Sequence, residues 1–146
     1  MVDLDRFYEV VGIVRREFPD LVVDVQPSHP HVHALATIPE QAGLVASVSI
    51  NLQNCDELHL NMSRFWVEWF PCGQQAVFDQ FVEAVTSVLS GRLRILESYV
   101  FGSPVAARLQ RPTEGGGWKT LATWSNLGVL VPWPRSHRIV QNRSGA

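Results

Sequence analysis

The sequence has few of the features that identify a secreted, membrane-bound or disulfide-bonded protein. Two cysteines, Cys55 and Cys72, are too few among 146 residues for a disulfide framework. The first residues do not combine a basic start with an apolar run, so we expect no secretory signal. No apolar stretch is long enough to cross a membrane. These absences favour a reduced, cytoplasmic protein that does not associate with membranes.

The motifs that identify the common enzyme classes are also absent. The sequence has no GxSxG, no GxGxxG after a strand and no CxxC, and residues 114–120 (EGGGWKT) lack the spacing of a phosphate-binding loop. We therefore expect no catalytic residue and no cofactor, and we favour a non-catalytic protein.

Charged residues make up only 18% of the chain, and the two signs are unevenly distributed. Residues 1–91 carry 12 acidic and 4 basic side chains, a net charge of −8, whereas residues 92–146 carry 2 acidic and 8 basic side chains, a net charge of +6. Such asymmetry can mark a basic binding surface. Alternatively, the two parts fold against each other and their charges interleave, which is the interpretation we favour.

Two segments have the apolar spacing of a helix, with steps of three and four residues. The first runs from Asp3 to Phe18, with Asp3 as its expected N-cap. The second, residues 74–90, is followed by Gly91, which can adopt the left-handed backbone that ends a helix. Its predicted core stripe consists of Val77, Phe78, Phe81, Val82, Val85, Val88 and Leu89.

The segments between and after these helices alternate apolar and polar residues, which is the pattern of strands. Short turns connect them, so we expect antiparallel pairing. The predicted fold is α+β, with two helices packed on one face of a mostly antiparallel sheet in the order helix–strands–helix–strands. We predict one domain over residues 1–134, with residues 127–133 as the last strand, and a polar, flexible tail over residues 135–146.

Three histidines are the strongest candidate for a metal site. His31 and His33 are two residues apart on a predicted strand and therefore share a face, and His59 has the same phase on a later strand. Three imidazoles plus water would suit zinc or another first-row metal. The alternative is that all three lie on a solvated polar face.

Four aromatic residues lie within six positions, Phe65, Trp66, Trp69 and Phe70. Neighbouring residues of a strand face opposite ways, so these rings cannot all enter one core. Either both faces of this strand are covered, or some of the rings form an exposed interface for another protein or a second copy.

Arg92, Arg94 and Arg108 form a candidate basic patch on neighbouring strands. Basic residues with aromatics on an open sheet can hold single-stranded nucleic acid, but a pI of about 6.2 is low for such a protein.

Three possible functions follow from these candidate surfaces. First is a non-catalytic protein-binding module of the chaperone, adaptor or inhibitor type, with a protein partner or as a homodimer. Second is a metal-dependent activity at His31, His33 and His59, and third is nucleic-acid binding.

Overall fold

A computed structural model describes residues 2–143 and shows the expected α+β fold, in the order helix–strands–helix–strands. The helices are α1 (Leu4–Glu17) and α2 (Gln75–Ser90). The strands before α2 are β1 (Asp24–Gln26), β2 (Ala34–Ile38), β3 (Val48–Gln53), β4 (Glu57–Met62) and β5 (Phe65–Trp69). Those after α2 are β6 (Arg94–Val100), β7 (Ser103–Pro112), β8 (Trp118–Ser125) and β9 (Ser136–Val140). Within the described residues, neither helix is long and apolar enough to span a membrane.

The strands form two antiparallel sheets. Sheet 1 has the order β1-β2-β3-β4-β5, and its register brings Ile38, Val48, Met62 and Phe65 into one row across four strands. These residues and the others of the same phase in β2–β4 are buried, which confirms the alternation predicted from the sequence. Both helices pack on this apolar face, α1 against β2 and β3 and α2 against β5.

Sheet 2 has the order β8-β7-β6-β9 and contributes one face to the same core. Ile95, Ala107, Leu109 and Val140 are the core residues of this face, and β7 and β8 approach β5 of sheet 1. The opposite face of sheet 2 consists of the residues of the other phase and points away from the core.

The predicted flexible tail is wrong for the part that the structure describes. Ser136–Val140 forms β9 and pairs with β6, and Val140 is buried in the core. Beyond β9, the Asn142 side chain accepts a hydrogen bond from the Val45 backbone N–H (2.9 Å), and the Arg143 N–H donates to the Gly43 carbonyl (2.7 Å). The segment is polar because β9 lies at the edge of sheet 2, not because it leaves the domain. Residues 144–146 lie outside the described residues.

The predicted last strand over residues 127–133 is also wrong. Leu127–Leu130 forms a 3₁₀ turn that begins at Asn126, whose side chain accepts a hydrogen bond from the Gly128 N–H (2.9 Å). An asparagine that bonds to the backbone two residues ahead favours a turn over a strand.

Gly91 ends α2 as predicted, with φ of +85°. The site also has a packing requirement, because a Cβ at Gly91 would lie 1.9 Å from the backbone oxygen of Asn142. The end of α2 and the chain after β9 therefore lie in direct contact. The Gln141 side chain strengthens this contact by donating to the Gly91 carbonyl (2.7 Å).

Glu97 is fully buried and connects the two sheets. Its Oε2 accepts hydrogen bonds from the Ser63 hydroxyl (2.6 Å) and the Arg64 N–H (3.0 Å), in the turn between β4 and β5. Its Oε1 accepts from the Tyr99 hydroxyl (2.9 Å). One carboxyl group of sheet 2 thus fixes the tip of a hairpin of sheet 1.

We expect Glu97→Ala to lower the free energy of unfolding by about 3 kcal/mol, because it removes a buried carboxyl group that accepts three hydrogen bonds. Glu97→Gln should cost about 1 kcal/mol or less, since its oxygen can accept from Ser63 and Arg64 while its amide donates to the Tyr99 oxygen. Urea unfolding of both variants measures the difference. Equal costs for the two substitutions would show that the hydrogen bonds are not what stabilises this contact.

Candidate functional site

The aromatic residues of β5 divide between its two faces. Phe65 is fully buried, and Trp69 packs edge-on against Phe81 of α2, with ring centroids 5.5 Å apart. Trp66 and Phe70 point outward and are about half exposed, on either side of Glu68. The predicted interface is therefore wrong for Phe65, which belongs to the core. Trp66, Glu68 and Phe70 form what we call the outer side of β5.

His59 is buried on the polar face of sheet 1, and both of its ring nitrogens have partners. The Trp66 indole N–H, which can only donate, lies 2.8 Å from His59 Nδ1, so Nδ1 is the acceptor. Nε2 then carries the proton and faces Glu57 Oε2 at 3.2 Å. The pKa of Glu57 is lowered, first by the hydrogen bond from Asn54 and also by His59. This arrangement leaves His59 no free nitrogen for a metal.

His31 and His33 lie apart from His59, in the exposed chain before β2. They line a cavity of about 440 Å³, and His31 contacts His29, with ring centroids 5.6 Å apart. Among residues 2–143, no three His, Cys, Asp or Glu side chains form a group that could hold a metal ion. The predicted site of His31, His33 and His59 is thus wrong, because the strand that would align His31 and His33 with His59 begins only at Ala34.

Cys72 lies just before α2. From the sequence alone, this position favours a reactive thiolate, because the positive end of a helix dipole stabilises a negative charge. In the structure its thiol is buried and lies 3.7 Å from the Asp3 carboxylate, to which it donates. Burial, followed by the negative charges of Asp3 and Asp56, raises the pKa of Cys72 to about 11. The Asp3 carboxylate therefore contacts Cys72 instead of capping α1.

The predicted basic patch is split between two surfaces. Arg92 lies beside the end of α2, 4.0 Å from Glu83. Arg94 and Arg108 share the face of sheet 2 that points away from the core, because Arg94 pairs with Gln110 and Leu96 pairs with Arg108 in the register of β6 and β7. We call this surface the outer face of sheet 2. The sequence does not show how the strands pair, and this pairing determines which arginines share a surface.

Within residues 2–143, the acidic and basic parts of the chain make little contact through ion pairs. Among residues 2–143, guanidinium–carboxylate ion pairs form between Arg6 and Glu9 and between Arg92 and Glu83, and the second joins the acidic part of the chain to the basic part. Both side chains of this pair are largely exposed, so it contributes little to stability. Among the described residues, the basic side chains of sheet 2 thus form no ion pair with a carboxylate.

A groove of about 830 Å³ lies where α2 meets β5, β7 and β8. Its apolar lining includes Trp69, Leu109 and Leu121. Charged side chains of both signs also line it, among them Asp79, Glu83, Arg92 and Arg111. The size is that of a ligand pocket. Because charges of both signs line the groove, it does not select one class of ligand.

The most exposed apolar side chains lie at one end of sheet 2. Phe101 is 82% exposed at the turn between β6 and β7, and Trp133 is 54% exposed and contacts it, with ring centroids 5.5 Å apart. Leu127 and Leu130, 83% and 76% exposed, belong to the 3₁₀ turn, in which residues three apart share a side. We call Phe101, Leu127, Leu130 and Trp133 the end patch.

Polar contacts hold the end patch in place. The Asn126 side chain donates to the Pro104 carbonyl (3.0 Å), so the 3₁₀ turn lies beside the start of β7, at the same end of sheet 2 as Phe101. The Arg135 guanidinium donates to the carbonyls of Val129 (2.6 Å) and Val131 (3.4 Å) and closes the loop before β9. Sequence reasoning missed this surface, although the adjacent Phe101-Gly102 turn and the proline-flanked Trp133 were visible signals of exposed loops.

Comparison with known proteins adds no family to this description: no protein-family model matches the chain, and neither a curated protein nor a solved structure with detectable similarity was found.

Proposed function

We propose that the protein is a non-catalytic protein-binding module of the chaperone, adaptor or inhibitor type, which forms a homodimer through the end patch. The exposure of four large apolar side chains at one end of sheet 2 is the observation that carries this proposal. Together they expose on the order of 400 Å² of apolar surface, which is the size of patch that often binds a partner.

Charge complementarity favours a second copy as the occupant of the end patch. The basic part of the chain has two carboxylates: Glu97, which is buried, and Glu114, which follows the far end of β7 about 30 Å from the patch. A partner that brings carboxylates to the edge of the end patch therefore has complementary charge. Residues 1–91 of a second copy, with their net charge of −8, supply such a surface.

The outer side of β5 is the matching surface on the second copy. Trp66 and Phe70 are exposed aromatic rings, and Glu68 lies between them on the same face of the strand. A stable interface covers about 800 Å² on each partner, so the end patch supplies about half of that area. In a two-fold dimer each copy contributes both surfaces, which doubles the number of contacts.

Sedimentation velocity of the untagged protein between about 1 and 200 µM tests this proposal, because interfaces of modest size often bind in the micromolar range. We expect reversible dimerisation, and we expect Phe101→Ser/Leu130→Ser and Phe70→Ser each to weaken it at least about tenfold. Val22→Ser is the matched control, since Val22 is an aliphatic residue outside both surfaces whose exposure (56%) is close to that of Phe70 (58%). Circular dichroism confirms that each variant is folded.

Mixing the two variants tests whether the two surfaces contact each other. A dimer of either variant has both contacts damaged, whereas a mixed dimer retains one intact end patch opposite one intact β5 surface. Equimolar mixing should therefore restore part of the dimer. A wild-type protein that stays monomeric at 200 µM, or a dimer that survives both substitutions, would overturn the proposal.

A further inference from the structure

The outer face of sheet 2 carries two guanidinium groups, an indole and an imidazole, and no carboxylate. Its residues follow from the strand register, because Arg94, Gln110 and Thr120 form one row and Arg108, Leu96 and Ile139 form the next. Ser98 and His137 form a third row. Glu97, the acidic residue of these four strands, points to the opposite face. The fixed charges on this face, those of Arg94 and Arg108, are thus both positive.

From this surface we infer a second binding activity, in which the outer face of sheet 2 binds single-stranded nucleic acid. Binding would use the phosphates for attraction and the bases for stacking. The inference is independent of the homodimer, since it concerns a different surface.

Arg94 is held in the geometry that such binding requires. Its guanidinium carbon lies 3.8 Å from the centroid of the Trp118 ring, and its Nε donates to Gln110 Oε1 (3.0 Å). The Gln110 amide in turn donates to the Thr120 hydroxyl (3.3 Å). Trp118 covers one side of the guanidinium plane, and we place a base on the other side, because nucleobases stack on guanidinium planes as they do on aromatic rings. The fixed orientation lowers the entropy lost on binding.

Arg108 and His137 meet at Ser98. The Arg108 guanidinium donates to the Ser98 hydroxyl oxygen (3.3 Å), and the same hydroxyl lies 3.1 Å from His137 Nδ1, to which it can donate. This contact uses one of the five guanidinium N–H groups, so the others remain for phosphate oxygens. His137 is exposed at the side of this contact and adds a ring and a further donor.

The arrangement fits a chain of nucleotides better than a single phosphate group. Successive rows on one face of a sheet lie about 7 Å apart, so Trp118, Arg94, Arg108 and His137 extend over about 20 Å. A phosphorylated side chain would use one arginine and leave the others without a ligand. Single-stranded DNA or RNA can place a phosphate near each row of this face, and its bases can stack on Trp118 and Arg94.

Fluorescence anisotropy with fluorescein-labelled oligodeoxythymidine and oligouridine tests the inference. Measurements start at an ionic strength of about 10 mM, where screening is weak, and continue to 150 mM. We expect a Kd between about 1 and 100 µM that weakens with salt. Arg94→Ala and Arg108→Ala should each weaken binding about fivefold or more and reduce the slope of log K against log salt by about 0.7.

Two further variants separate stacking from charge. Arg94→Lys keeps the charge but loses the planar group, so it should weaken binding while leaving the salt slope unchanged. Trp118→Leu should also weaken binding about fivefold or more at an unchanged slope. Arg111→Ala is the matched control, because it removes the same charge from β7 on the opposite face, and we expect a change of less than about twofold.

Three outcomes would overturn the inference. The first is the absence of any anisotropy change at low salt. The second is an equal loss of affinity in Arg111→Ala and Arg108→Ala, which would indicate attraction by net charge alone. The third is competition by heparin fragments as strong as that by oligonucleotides, together with no effect of Trp118→Leu, which would indicate a surface for any polyanion. Melting temperatures near that of the wild type ensure that the variants are folded.

Discussion

Phe81→Ala should lower the free energy of unfolding by about 3–5 kcal/mol, the usual cost of replacing a fully buried phenylalanine with alanine. Phe81 has no exposed surface, and its ring meets that of Trp69, so it joins α2 to β5 at the centre of the core. The substitution removes apolar contacts and leaves a cavity that the surrounding helix and strands can close only in part. Urea unfolding followed by circular dichroism measures the loss.

Gln80→Ala is the matched control for this experiment, since Gln80 is the exposed neighbour of Phe81 on the same helix. We expect a change within about 0.5 kcal/mol there. Phe81→Leu should cost less than Phe81→Ala, because leucine fills most of the cavity. A loss below about 1 kcal/mol in Phe81→Ala would contradict the packing of α2 on sheet 1.

Removal of residues 135–146 should destabilise the protein by about 5 kcal/mol, which approaches the whole stability of a typical domain. The truncation withdraws Val140 from the core, at a cost of about 2 kcal/mol. It also removes the hydrogen bonds to Val45, Gly43 and Gly91, worth about 1 kcal/mol each. Thermal unfolding and the yield of folded protein measure the effect.

Asn142→Ala isolates the contribution of one residue and keeps the rest of the chain. Asn142 is fully buried, and its side chain bonds to the Val45 N–H and donates to Met62 Sδ (3.4 Å). We expect a loss of about 2 kcal/mol for the substitution, because it leaves the Val45 N–H without a partner. Arg138→Ala, an exposed position of β9, should change stability by less than about 0.5 kcal/mol. A truncated protein that unfolds like the full chain would show that residues 135–143 do not stabilise the domain.

Much of the fold could be predicted from the sequence, because the patterns that specify its helices and strands involve residues close together in the chain. The alternation of residues 48–52 and 58–62 places the apolar side chains on one face of sheet 1 wherever the partner strands lie. The three- and four-residue spacing before Gly91 predicts α2, and the left-handed φ of Gly91 agrees with the predicted helix end. Both features depend on residues that are neighbours in the chain.

The candidate sites could be predicted only in part, because they depend on residues that are distant in the chain. The sequence identified Trp66, Phe70, Arg94 and Arg108 as candidate site residues, and the structure leaves these four on outward-facing surfaces. It could not show that Trp66 binds His59, or that Arg92 lies apart from the other two arginines. Partner strands and tertiary contacts determine each of these positions.

The sequence by itself determined the two helices, the alternating strands of sheet 1 and the order of elements, since short-range periodicity specifies which side of each element is apolar. Only the tertiary structure decided that a polar segment becomes β9, that residues 127–130 turn and expose two leucines, and that Arg94 stacks on Trp118. The physical reason is the same in all three cases. An edge strand, an exposed loop and a cross-strand pair carry little apolar periodicity of their own, and contacts with distant parts of the chain stabilise them.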